Sequence, residues 1–140
     1  MIASFKQRVA YRGNRGFTLI ELVIVMAIIA VLASIAVPGY RAYIIRGNRS
    51  AAKAAMMDLA TREQQFLLAN RAYVDTAALS ASGYSPPPEV TQNYAWDVAA
   101  PAVAVPAFMI TFTATGAQAS DGPLTLDNLG NKTPIANWNK

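Results

Sequence analysis

The sequence predicts an α+β protein, and three observations predict it. Residues 17–37 form one unbroken apolar run, residues 51–70 repeat apolar side chains at three-and-four spacing, and short alternating runs punctuated by Pro and Gly begin at residue 94. The chain has 140 residues, 54% of them apolar and 14% charged, with no Cys and no His. That length makes at most one small domain. Without thiols or imidazoles there is no Cys or His nucleophile, no disulfide and no zinc-finger spacing. With no glycine-rich phosphate loop and only scattered carboxylates, the residues point away from an enzyme and imply no cofactor.

The run FTLIELVIVMAIIAVLASIAV carries one charge, Glu21, and stops at Pro38. As a helix of 21 residues it spans roughly 31 Å, one hydrocarbon core. It is long for a signal peptide, so a membrane-spanning helix is expected. Lys6, Arg8, Arg12 and Arg15 precede it and Arg41, Arg46, Arg49 and Lys53 come after it, so charge counting alone leaves its orientation tied. Glu21 needs the interface or a cationic partner, since an ionisable group inside a bilayer costs several kcal/mol.

Pro38-Gly39 reads from its residues alone as a bend or linker, and Gly47-Asn48 as a second weak point where Ser50 could cap a restarted helix. Ala52, Ala55, Met56, Leu59, Ala60, Phe66 and Leu67 then form a packing stripe. Asp58 and Arg62 are spaced to pair, and Glu63, although it falls within the stripe, is expected to reach water at the helix edge. Residues 71–93, with Pro86-Pro87-Pro88, read as a connecting loop. Strands are expected at 94–99, 108–115 and 124–127, with Pro101 and Pro106 in the first connection and 116–122 as the second.

Arg15-Gly16-Phe17-Thr18-Leu19-Ile20-Glu21-Leu22 resembles the processing site shared by type IV pilins and type II secretion pseudopilins. The rest of the chain is similar to PilE-type minor pilins through Pro38-Gly39-Tyr40, Arg46-Gly47-Asn48-Arg49-Ser50, the Ala-rich helix, Gly116-Ala117-Gln118-Ala119, Leu124-Thr125-Leu126-Asp127 and Lys132-Thr133-Pro134. The resemblance implies the type IV pilin fold: a removed basic leader at 1–16, a transmembrane and filament-core helix at 17–37, its amphipathic continuation at 38–70, a loop at 71–93, and a small antiparallel sheet with a C-terminal loop at 94–140. It implies cleavage between Gly16 and Phe17 by a prepilin peptidase, N-methylation of Phe17, and pairing of Glu21 with the Phe17 amine of a neighbouring subunit. Pro38 would sit where the helix melts during assembly.

Implied partners are other pilin subunits through helix packing, an inner-membrane assembly platform, and inner-membrane lipid before assembly. The head would be periplasmic first and extracellular afterwards, in a pilus serving biogenesis, twitching motility or adhesion. A type II secretion pseudopilin is an alternative, and some of these hold calcium in an acidic C-terminal loop. Asp121, Asp127, Asn128 and Asn131 could supply such oxygens, or Asp-Asn-x-Gly could simply build a turn. A second alternative is a pilus-tip DNA-uptake receptor. Against nucleic acid, only four basic residues stand beside seven acidic ones after Lys53. Relatives in the resembling family carry a disulfide where this chain has Asp121 and Asn137, so the Asn137 side chain is expected to bond the Asp121 side chain instead.

Overall fold

The computed structural model describes residues 16–139, so the leader other than Gly16 lies outside the described residues. Two compact units divide after Pro38. A single helix, α1, runs Leu19–Asn70. It passes through Pro38, and it does not restart near Gly47: Ser50 Oγ donates to the Arg46 carbonyl inside the helix at 3.1 Å. The bend expected from the residues alone therefore does not interrupt α1, and the continuous helix implied by the resemblance is the one observed.

In the first unit every described residue is exposed. The most apolar window of α1 has mean hydropathy 2.9 and none of it is buried. Apolar side chains surround the helix, so no single face could satisfy them.

In the second unit, α1 contributes Ala52, Ala55, Met56 and Leu59 to the core. Against this stripe lies an antiparallel sheet ordered β1-β2-β3-β4, with β1 at Tyr94–Ala99, β2 at Met109–Ala114, β3 at Leu124–Asp127 and β4 at Lys132–Thr133. The register pairs Val98 with Ile110 and Ile110 with Leu126. One face thus collects Tyr94, Val98, Ile110, Phe112, Leu124 and Leu126, all buried. Fully burying a large aliphatic or aromatic side chain contributes about 1.5–3 kcal/mol.

The stretch 71–93 is more than the expected loop. It holds α2, Thr76–Ala81, whose N-cap Asp75 accepts from Ala78 N at 2.8 Å, and α3, Pro88–Thr91. The prolines forbid continuation of a helix but suit its first turn, where the missing N–H is not needed. Leu79 and Val90 fix these short helices to the core. Thr76 has a further role at β1, an edge of the sheet. Its hydroxyl accepts from Val98 N at 2.6 Å and donates to Asp97 Oδ1 at 2.8 Å. The 116–122 connection contains a 3-10 turn, Gly116–Asp121, and the chain closes with α4, Ile135–Trp138.

Candidate functional site

Gly16 and Phe17 stand just before α1, and Phe17 is 85% exposed. The next turn is a capping box. Glu21 N donates to Thr18 Oγ1 at 3.2 Å while Thr18 N donates to Glu21 Oε2 at 3.5 Å. Two of the helix's orphan N–H groups are satisfied reciprocally, and the carboxylate sits where the helix dipole favours a negative charge. Among the described residues, Glu21 therefore has a backbone partner rather than a cation. Pro38 lies inside α1, where it cannot donate to the carbonyl one turn back.

A second cluster joins α1 to the C-terminal segment. Arg49 Nη2 donates to Asp121 Oδ1, and both residues are buried. Asp121 Oδ2 accepts from Tyr94 OH at 2.6 Å and from Gln118 Nε2 at 3.3 Å. Gln118 Nε2 also reaches the Ile45 carbonyl at 3.0 Å, and Asn48 Nδ2 donates to Gln118 Oε1 at 3.1 Å. Burial alone would raise the Asp121 carboxyl, but hydrogen bonds from Arg49 and Tyr94 outweigh it and hold it below the usual carboxylate range. Arg49 is shifted upward, chiefly by its bond to Asp121, so both shifts favour the ionised pair. Burial and the bond to Asp121 push the Tyr94 phenol far up.

Arg49 faces the interior, and the nearby Lys53 Nζ donates to the Trp138 carbonyl at 2.9 Å. The geometry corrects one expectation. Asn137 does bond Asp121, but its Nδ2 reaches the backbone carbonyl, at 2.7 Å, because the carboxylate is already committed. The calcium set is not assembled either. Asp121 faces a guanidinium, whereas Asp127 folds its own turn: Oδ1 accepts from Leu129 N and Asn131 N, both at 2.9 Å, and Oδ2 from Asn131 Nδ2 at 2.8 Å. Gly130, at φ 81°, supplies the left-handed residue this turn requires, and Asn128 belongs to the same turn.

Glu63 also departs from expectation. It is completely buried, with Oε2 accepting from Val74 N at 3.0 Å and Oε1 unpartnered. Burial raises its pKa, the Val74 N–H opposes that, and Asp75 adds to it. By contrast Asp58 and Arg62 pair as expected, at 3.0 Å, and Arg62 stacks over the Tyr84 ring. Burial pushes the Tyr84 hydroxyl up to about 12.

Comparisons with known proteins agree with this architecture. Residues 11–37 match the family profile described as "Prokaryotic N-terminal methylation motif", and residues 38–126 match "Type IV minor pilin ComP, DNA uptake sequence receptor". The type IV major pilin protein PilA of Myxococcus xanthus is 40% identical over 89 residues, covering 64% of this chain and 39% of the relative. A fimbrial protein of Pseudomonas aeruginosa is 37% identical over 52% of this chain and 47% of its own. The type IV wide pilus major component PilA4 of Thermus thermophilus is 39% identical over 57% of this chain and 63% of its own. The chain thus spans roughly two-fifths to under two-thirds of the length of these relatives. No solved structure matches it significantly. A methylation motif leading into an apolar helix, and a profile match over most of the residues beyond that helix segment, place the chain in the type IV pilins, as a member of this minor-pilin family.

Proposed function

We propose that the chain is a structural subunit, a minor pilin, of a type IV pilus. It is made as an inner-membrane precursor with the second unit in the periplasm, cut between Gly16 and Phe17 by a prepilin peptidase, and methylated on Phe17. An inner-membrane assembly platform then moves it into an extracellular filament, where the apolar half of α1 exchanges lipid for the helices of other subunits. The observation carrying this reading is that a helix segment apolar on every side has no buried residue within its own chain. Glu21 sets the register of that packing by meeting a neighbour's Phe17 amine, and Pro38 marks where the helix yields during extraction. The matched relatives are pilins, which favours a pilus over a type II secretion pseudopilus. The filament would serve pilus biogenesis, twitching motility or adhesion.

The test separates the two uses of Glu21. Glu21→Gln keeps a side chain able to close the capping box but removes the charge. The variant should be processed and membrane-bound yet scarce in sheared pili. Its undiminished recovery in pili would reduce Glu21 to a cap. Normal conversion of Gly16→Val to a chain beginning at Phe17 would remove the processing assignment itself.

A second reading, reception of DNA at the pilus, rests on the family matched by residues 38–126. The excess of acidic side chains after Lys53 weighs against it. Salt-dependent retention of duplex DNA by assembled pili would support it, because phosphate contacts weaken as salt rises.

A further inference from the structure

Immediately beyond the apolar run, the second unit contains a groove of about 480 Å³ between α1 and the 3-10 turn. Tyr40, Arg41, Ile44, Ile45 and Asn48 line it from the helix, and Asn93, Ala117 and Gln118 from the opposite wall. The floor is apolar, and the lining carries one guanidinium and no carboxylate. The wall amides are already fixed: Asn48 and Gln118 bond each other, Gln118 bonds the Ile45 carbonyl, and Asn93 Nδ2 donates to the Glu89 carbonyl at 2.8 Å. Arg41 is different. It forms no hydrogen bond or ion pair with any described residue.

From this arrangement we infer that the groove seats the phosphate headgroup of a bilayer phospholipid, with Arg41 as its charged donor, while the chain is still membrane-bound. The inference rests on the proposed membrane-anchored precursor. Arg41 lies four residues past the end of the apolar run, about 6 Å at helical rise. The polar layer outside the hydrocarbon core is roughly 5 to 7 Å thick on each side, so the guanidinium falls at phosphate depth. Tyr40 and Tyr43, each 67% exposed, are amphipathic rings of the kind that gather at this interface. A phosphodiester on Arg41 leaves the glycerol carbons against Ile44 and Ile45, which matches the groove's apolar floor. Duplex DNA also offers phosphodiesters, but holding it needs a row of cations, and this groove has one.

The test uses the full chain in neutral maltoside micelles, titrated separately with dihexanoyl phosphatidylglycerol, inorganic phosphate and a short DNA duplex. The side-chain amide NMR signals of Asn48 and Asn93 report on the groove. Phosphatidylglycerol should move both saturably, and Arg41→Gln should bind it roughly tenfold more weakly, the scale of one charge-assisted hydrogen bond. Arg71→Gln, at an exposed arginine outside the groove, should bind as the parent does. Unmoved amide signals, equal shifts from inorganic phosphate or from the duplex, or unchanged lipid binding by Arg41→Gln would each overturn the inference. Failure of the precursor reading is distinguishable, since it would appear as recovery of the chain in the soluble cell fraction and not in the micelle titration.

Discussion

The two halves of α1 are continuous in backbone and opposite in the way they use apolar side chains. Up to Pro38 every described residue is exposed, although the segment is the most hydrophobic in the chain. From Arg49 to Glu63 the helix is mixed in composition, yet Ala52, Ala55, Met56 and Leu59 are buried to 5% exposure or less. The amount of hydrophobicity does not decide what is buried. Its arrangement does, because a stripe can be covered by one sheet whereas an all-round coat needs a surrounding medium or several other helices. Within the chain, the second half contributes to folding and the first buries nothing.

Substitutions can break this comparison, beginning with the largest effect. Arg49→Ala strands the Asp121 carboxylate in a buried site and should cost about 3–5 kcal/mol, read as thermal melting of the full chain in neutral detergent. Asp121→Cys paired with Asn137→Cys, where the resembling family has its disulfide, should be destabilising for the same reason unless Arg49 is replaced as well. Next, Leu59→Ala should cost about 2–5 kcal/mol through the cavity it leaves, whereas Leu32→Ala should leave the same melting transition unchanged and reduce recovery in pili. Equal melting losses from both would abolish the distinction between the halves.

A subtler contrast lies between the two buried carboxylates of the second unit. Asp121 is depressed, so its stabilisation is present above the ordinary carboxylate range and is lost as pH falls through the folded value. Glu63 is raised, so it favours the folded state in acid and this advantage fades as pH climbs from about 4.3 toward its folded value. Glu63→Gln should therefore melt higher than the parent at neutral pH, with the gain shrinking as pH falls toward about 4.3. A gain independent of pH would mean that burial is not what raises this carboxyl. The smallest effect belongs to Asp58→Ala, where both partners are about half exposed and only a few tenths of a kcal/mol should be lost.

Much of this was legible from local pattern. The apolar run, the packing stripe and the positions of β1 and β3 depend on neighbouring residues, and the two strands fall at 94–99 and 124–127 as expected. What pattern could not supply was partners distant in sequence. Arg49 looks like one more basic residue after an apolar run until Asp121, 72 positions later, folds against it. Glu63 looks like an edge carboxylate until the 71–74 connection closes over it and donates Val74 N. β4 and α4, of two and four residues, are too short for any periodicity to show. Thr18 and Glu21 are another case. Their capping-box spacing is a local signal that reasoning about charge alone overlooks.

The Thr76 hydroxyl at β1 has a consequence for chains held side by side in large numbers. An edge strand with free N–H and C=O groups is a reactive end, able to add another strand and grow without limit. By capping Val98 and tying Asp97, one small side chain from α2 removes that reactivity along part of the edge. In polymer terms, this lowers the number of ways one monomer can join another. Crowded copies thus meet a shorter open stretch of strand on the β1 side of the sheet.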